Sequence, residues 1–458
     1  LGKAFKVIRS VFYFRGVNTS VTWGVEMNTF FTIILWSTYF ISLYFLVYWL
    51  LVFFENRVSF KTEEKNSRKL SRFPLVSVII PALNEEDGIT KSANSVLSLD
   101  YPKTKLELML INDGSSDRTL AKMQAVVKNN PGRRIVIVDN AENIGKGASL
   151  NKGIKTAKGE FLACLDADSI IDKDTLMKQL HVYETSPKDL AIVTPAMKVA
   201  KPKGLLRSLQ WIEYVFAIFV GRLMSSVDTM TVAPGPFSLY RTAILRKVGG
   251  FDENNPAEDM EVAYRMQKHH YKIKQCYDGY VYTNPPATIR ELAHQRRSRW
   301  YRGSMHNLIK YRKMVLNREY GDLGMMQLPH NAFMFFLSSV VVGFFLYNLI
   351  RPLFRLLHNL SIVNFDIMTY IYNFELNFKF LDINFPIFFM ISLFVLLSML
   401  VLYLAHKNAR ESVLARILYI IPYILIYYIF IGMLVVASAF DFVFGKRWSW
   451  RKSNGANK

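Results

Sequence analysis

Residues 30 to 54, FFTIILWSTYFISLYFLVYWLLVFF, carry no charge over 25 residues. A bilayer core takes about 20 apolar residues of helix, so this stretch predicts a transmembrane span. Residues 332–350, 387–405 and 414–440 have the same character and predict three more. The last holds Arg416 near one end and Pro422 inside, which predicts a kinked span, because backbone groups freed by a kink can be re-satisfied locally. Two further apolar stretches are broken by charge: 205–224, LLRSLQWIEYVFAIFVGRLM, and 289–313, IRELAHQRRSRWYRGSMHNLIKYRK. Each predicts an amphipathic helix lying in the membrane interface.

Residues 72–285 follow another rhythm. Short β-rich runs (VSVIIPALN, LELMLIND, RIVIVDN, FLACLDAD, AIVTPAM) alternate with amphipathic stretches. Strands separated by helical patterns predict an α/β domain with a mostly parallel sheet. Ligands of such sheets bind at the carboxyl ends of the strands, and the polar residues gather there: Asn84-Glu85-Glu86, Asn112-Asp113, Asp139-Asn140 and Asp166-Ala167-Asp168. The expected organisation is an N-terminal segment 1–29, a span 30–54, the α/β domain 72–285, and interfacial helices 286–328. A C-terminal membrane region 329–445 of about three spans and a basic tail 446–458 complete it.

Composition sharpens this. The 458 residues are 51% hydrophobic and 14% aromatic with a mean hydropathy of +0.15, yet 20% are charged. That mixture fits a polar body joined to apolar spans. The net charge of +21 admits nucleic acid, an anionic membrane surface or an anionic substrate as partner. No basic tract interleaved with aromatics reads as a nucleic-acid module, and much of the excess flanks spans, as Lys407, Arg410, Lys446 and Arg447 do. Cys164 and Cys276 are far apart and lack metal-ligand spacing, so no disulfide framework is implied. The positive-inside tendency puts the polar body and the loop 406–413 on the cytoplasmic side of a multi-pass cell-membrane protein. The sequons at Asn18 and Asn359 then fall outside. So does the basic tail, against that tendency, unless residues 361–384 supply an extra segment.

The chemistry lies at the strand ends. Asp166 and Asp168 alternate about one residue, which puts both carboxylates on one side of an extended segment, where they can ligate Mg2+ or Mn2+. Asn112-Asp113-Gly114 forms a turn suited to a base or ribose edge. NIGKGASLNKGI, residues 143–154, places glycines and Lys146 before a helix start, which suits a diphosphate through backbone N–H groups and one cation. Neither a Walker loop nor a dinucleotide fingerprint is present. Asp259, with Glu258 as its orienter, is the candidate general base.

Together, PALNEE, INDGSSDRT, NIGKGASLNKGI, DAD, GPFSLYR, AED and RSRWYRG resemble the inverting family 2 glycosyltransferases. More narrowly they resemble the membrane-embedded hyaluronan, chitin, cellulose and poly-N-acetylglucosamine synthases, over residues 75–303. The resemblance implies a GT-A fold, Rossmann-like, with flanking transmembrane and interfacial helices. It implies a nucleotide-sugar donor, with a UDP moiety against Asp113, Ala82 and Glu85. Metal and diphosphate would lie on Asp166 and Asp168, with Lys146 and Arg299 beside the diphosphate. Asp259 would deprotonate the acceptor hydroxyl. Trp300 would stack on the acceptor sugar, in a site shaped by Gly235, Pro236 and Phe237.

Two letters depart from the family pattern. Its Gln-x-x-Arg-Trp motif finds Arg296 where glutamine is expected, with Gln295 one residue early. An α-helix turns about 100° per residue, so Gln295 should face elsewhere, which weighs against processive polymerisation. Leu83 stands where an aromatic residue is common. Two readings follow: a synthase polymerising a β-linked polysaccharide at the bilayer, acting on a growing glycan, or a single-addition enzyme acting on a lipid or lipid-linked acceptor. A receptor or transporter with a degenerate domain would be expected to lose Asp113, Asp168 or Asp259, and all three are present.

Overall fold

The computed structural model describes residues 29–65, 70–362, 364–368, 385–412 and 414–445. The N-terminal segment apart from Thr29, the Asn18 sequon, the basic tail 446–458 and most of 361–384 lie outside the described residues. Two compact units are formed: one from residues up to Leu51 with Phe336–Tyr403, the other from Val52–Phe335 with Leu404 onward.

The second unit holds an eight-stranded sheet. In chain order its elements are β1 Val76–Ala82, α2 Ile89–Leu97, β2 Leu106–Asp113, α3 Thr119–Asn129, β3 Arg134–Asn140, α4 Lys146–Thr156, β4 Phe161–Cys164 and β5 Ile170–Ile171. There follow α5 Thr175–Glu184, β6 Leu190–Val199, α6 Gly204–Ser226, β7 Leu239–Arg241, α7 Thr242–Lys247, α8 Glu258–Lys268 and β8 Lys272–Thr283. The preceding α1 is Thr29–Lys65. Strand order is β3-β2-β1-β4-β7-β6-β8-β5. The first four are parallel, β7 runs antiparallel to both β4 and β6, and β6 pairs parallel with β8. Every residue of β2 and β4 is buried, as the near-continuous apolar runs require of strands covered on both faces. Only the edge strand β3 shows exposed positions repeatedly.

One core layer joins Val78, Ile80, Leu108 and Leu110 to α2 and α5. The opposite layer joins Ile79, Met109 and Ile111 to α4 and α8. Burial on both faces places the cost of any charge at the strand termini, where the site lies.

The segment 205–224 forms a helix largely enclosed by protein. α6 buries residues from Ser208 to Leu223 on most of its circumference. Its apolar positions run all round rather than along one stripe, which is the pattern of an enclosed helix. The interrupting charges have partners: Arg222 donates to the Asn408 side chain at 2.6 Å and the Phe60 carbonyl at 2.9 Å. The stretch 289–313 is also built into the unit. A capping box on Thr288 and Glu291 opens α9 Ile289–Ala293, a π-helical turn follows over His294–Tyr301, and α10 is Arg302–Lys310. Gly303 lies so close to α8 that a Cβ there would stand 2.5 Å from the Ala257 Cβ.

Among the described residues, four helices are long and apolar enough to cross a membrane: Trp36–Phe60, Leu323–Ile362, Phe388–Ala409 and Ile420–Val443. They include most of α1, all of α11 Leu328–Ile362, α12 Phe385–Ala409 from Phe388 onward, and α13 Tyr428–Val443 with its lead-in. The last span begins later than the apolar run, because Arg416 adopts φ −140° and is caught by the Ser208 hydroxyl at 2.8 Å. The kink therefore sits at Arg416, while Pro422 sits near the head of the span, before a π turn Tyr423–Tyr427. In the first unit, the Tyr39 hydroxyl donates to the Met390 carbonyl at 2.6 Å, tying α1 to α12.

Candidate active site

The ends of β1 and β2 are latched together. Asn84, at φ +53°, accepts from the Ser116 N–H at 2.9 Å, and its own N–H donates to the Ser115 hydroxyl at 3.0 Å. The half-buried Glu85 donates its N–H to the Thr119 hydroxyl at 2.8 Å. Ala82 is 3% exposed, so it backs the neighbouring turn rather than presenting a surface of its own. Asp113 is equally enclosed. One of its oxygens accepts from Asn140 and the Ile144 N–H, the other from the Gly145 N–H, all at 3.0 Å. The carboxylate thus organises the glycine turn that delivers Lys146. The sequence pattern did not disclose this use, because the donors lie about thirty residues away.

Lys146 begins α4, and its ammonium lies 2.7 Å from Asp166 and 3.2 Å from Glu258. Burial alone would lower its pKa, but Asp166 and Glu258 outweigh that and hold it above the ordinary lysine range. Asp168, one pleat beyond, is pushed up to about 6 by its packed surroundings and by the charges of Asp166 and Glu85. Its side chain is exposed, so the neighbouring charges are the firmer cause. Asp259, in the first turn of α8, is likewise raised to about 6 by burial and by Glu258, against the pull of Lys146 and Arg299. Its carboxylate accepts from the Met260 N–H at 2.8 Å. Lys146, Asp166, Glu258, Asp259 and Arg299 therefore share one electrostatic neighbourhood, drawn from α4, the end of β4, α8 and the π turn.

Two carboxylates that repel one another favour a divalent cation. Among the described residues no group of three or more His, Cys, Asp or Glu is arranged to hold one. Asp166 and Asp168 suit an ion that takes its other ligands from water and substrate phosphate, the habit of Mg2+.

The 235–237 turn closes one side. A Cβ on Gly235 would lie 3.1 Å from the Lys146 ammonium and 3.3 Å from an Asp166 oxygen, so a larger residue there would press on the pair. Phe237 corrects an expectation. Its ring is 0% exposed within the core, φ is +59°, and its N–H donates to the Cys164 carbonyl. It braces the turn from beneath and has no surface to offer an acceptor, and Pro236 is buried too.

The π turn alters the reading of residues 295–300. Its i→i+5 hydrogen bonding sets residues five apart on one side of the helix, as i→i+4 does in an α-helix. The side chain that meets Trp300 is Arg296, four residues before it, whose guanidinium carbon lies 3.5 Å from the ring centroid. The Gln295 Oε1 and the Arg299 Nε are buried without a hydrogen-bond partner among the described residues. Arg296 is fully buried and ion-paired to Glu213 at 2.8 Å. Arg297 holds Asp441 of α13 in two bonds of 2.5 and 2.8 Å, and Ser438 donates to the Arg297 carbonyl. Glu213 and Asp441 were missed from sequence, and Arg296 was noticed only as a departure from a motif. The available signal was a lone acid amid an apolar helix, since a buried charge demands a partner.

Residues 77–249 match the family model for Glycosyl transferase family 2. The chain is 29% identical over 282 residues to the poly-beta-1,6-N-acetyl-D-glucosamine synthase of Staphylococcus aureus strain MSSA476, covering 61% of this chain and 67% of the synthase. It is 31% identical over 281 residues to the same enzyme of Staphylococcus epidermidis, covering 61% and 66%. Among solved structures it is similar to a mannosyltransferase from Pyrobaculum calidifontis in complex with GDP-Man and Mn2+, with a TM-score of 0.58. That match has 17% identity and covers 91% of this chain and 99% of the other.

Proposed function

The chain carries a family 2 glycosyltransferase domain of the GT-A fold beside helices able to cross a membrane, and from that premise we propose that it polymerises a β-linked polysaccharide from a UDP-sugar. The observation that carries the transfer chemistry is the meeting of Lys146, Asp166 and Glu258 at the strand ends, with Asp259 beside them. The synthase relatives support the polymer, and favour N-acetylglucosamine as the sugar.

In this reading Asp113 orders the glycine turn, and Glu85 borders the nucleotide with Ala82 backing the turn behind it. Lys146 and Arg299 face the diphosphate. Asp166 and Asp168 hold Mg2+ or Mn2+, which supplies positive charge for the leaving group when bound. Asp259 takes the proton of the acceptor hydroxyl. The acceptor oxygen forms its bond at the anomeric carbon as the bond to the diphosphate oxygen breaks, inverting that centre. Glu258 keeps Lys146 in place. Trp300 gives the acceptor sugar an aromatic face. The loop bearing Lys407 and Arg410 lies with the catalytic body, where Lys198 pairs with Glu411 at 3.0 Å; basic loops of this kind favour a cytoplasmic body.

The test uses purified protein in nanodiscs with Mg2+ or Mn2+ and a panel of UDP- and GDP-sugars, following nucleoside diphosphate release and product size. High-molecular-weight product from UDP-N-acetylglucosamine, lost in Asp259→Asn, is expected. A product that stops after one sugar and needs added lipid refutes polymerisation and establishes single addition. Turnover unchanged in Asp259→Asn refutes the assignment of the base.

A further inference from the structure

Arg296 is the largest fully buried side chain of the described residues. Its Nη2 donates to a Glu213 oxygen at 2.8 Å, and the Tyr427 hydroxyl donates to that same oxygen at 2.8 Å. The central carbon of the guanidinium lies 3.5 Å from the centroid of the Trp300 ring. Three elements thus converge on one guanidinium: α6 through Glu213, the π turn itself through Trp300, and the lead-in to the last span through Tyr427, which shares the Glu213 oxygen. The Nε and Nη1 of Arg296 have no hydrogen-bond partner among the described residues. Leaving donors of a buried charge unbonded is costly, and such groups call for an explanation beyond stability.

We propose that Arg296 is a positioning residue for the acceptor, clamping the Trp300 indole on one face so that the opposite face is presented to a sugar ring. The inference rests on the reading of Trp300 as the acceptor platform. A cation over a desolvated indole holds the ring against rotation and so selects one orientation from several. Arginine is suited to this because its planar guanidinium stacks while still pairing with a carboxylate; lysine keeps the charge but cannot stack. Glu213 and Tyr427 fix the plane of the guanidinium, so the acceptor end of the site is set by α6 and the last span. The donor end is set by α4 and β4. The two ends are therefore separable by mutation.

The experiment is a double-mutant cycle of Arg296→Lys and Trp300→Phe in nanodiscs, with UDP-N-acetylglucosamine and a β-1,6-linked N-acetylglucosamine pentasaccharide as probes. UDP affinity is measured in parallel. Arg296→Lys should raise the acceptor KM about tenfold, the loss of most of a buried stacking contact. It should leave UDP affinity within about twofold, and its effect should vanish within about twofold in the Trp300→Phe background. Wild-type acceptor KM in Arg296→Lys overturns the proposal, because charge alone would then suffice. Effects that multiply in the double variant, or a matching loss of UDP affinity, overturn it as well. If Arg296→Lys does not fold, Tyr427→Phe carries the test through the same change in acceptor KM, and an unchanged value counts against the clamp. Should Trp300→Phe alone leave acceptor KM unmoved, the platform reading itself fails, which Asp259→Asn would not have revealed.

Discussion

Lys146→Met keeps the side-chain length and deletes the charge that two carboxylates share. At an effective dielectric of about 20, contacts of 2.7 and 3.2 Å correspond to gross attractions of about 6 and about 5 kcal/mol. Taking the ammonium out of water offsets much of this, so the net value of the cluster is far smaller than that total. Breaking a buried pair by removing one partner costs about 3–5 kcal/mol, because the other charge stays behind. Asp166 remains 31% exposed and water can relax around it, so the lower end, about 3 kcal/mol, applies. For a domain of this size that lowers the melting temperature by about 6–12 °C.

The loss should depend on pH in a defined direction. Asp259 and Asp168 already titrate near 6 with Lys146 present, above the usual carboxylate range. Without it they rise further, so the folded protein holds protons that the unfolded chain has released. Stability is then retained near pH 4 and lost as pH rises through 6 and beyond. Thermal unfolding of wild type and variant in detergent, at pH 5 and pH 8, reads both quantities. A deficit below about 1 kcal/mol at pH 8, or one of equal size at both pH values, would refute the reasoning.

The acid limb of the transfer rate should lie near pH 6, where Asp259 gains its proton, with the rate falling about tenfold per pH unit below it; a limb near 4 would remove Asp259 from that role. Gly303→Val should push on Ala257, whose Cβ lies 2.5 Å from the position of the added atom, and shift the start of α8 with Glu258 and Asp259. Overpacking of this kind costs about 1–3 kcal/mol, and displacement of a base can lower kcat about 100-fold while UDP still binds. Titration with UDP and a progress curve on the same sample check the pair.

The strands were legible because a sheet covered on both faces demands near-continuous apolar runs, and VSVIIPA and LELMLIND supply them. The polar groups at their ends followed from the same pattern. What covers an apolar helix is not written in its letters, so α6 read as an interfacial helix although protein encloses it. Asp113 was recognisable as a strand-end acid, yet its loop partners Ile144 and Gly145 meet it only through tertiary structure. Phe237 sat in a conspicuous motif, but the turn drives its ring into the core. The π turn is the clearest case. Letter spacing assumes a constant rise and rotation, and a changed hydrogen-bond register over His294–Tyr301 undoes that assumption.

α6 has a consequence for how the chain is made. At 23 residues, rich in Leu, Ile, Phe and Val, it is long enough to enter a bilayer as it leaves the ribosome. Its safeguard is ionic. Arg207, Glu213 and Arg222 interrupt the segment, and a charge near the middle of an inserting helix costs about 2.5–3.5 kcal/mol. Glu213 lies nearest the centre and weighs most. Neutralising it would remove a partner of Arg296 and, during synthesis, also weaken the barrier that keeps this helix out of the insertion machinery. Miscounting one span there would place everything downstream on the wrong side.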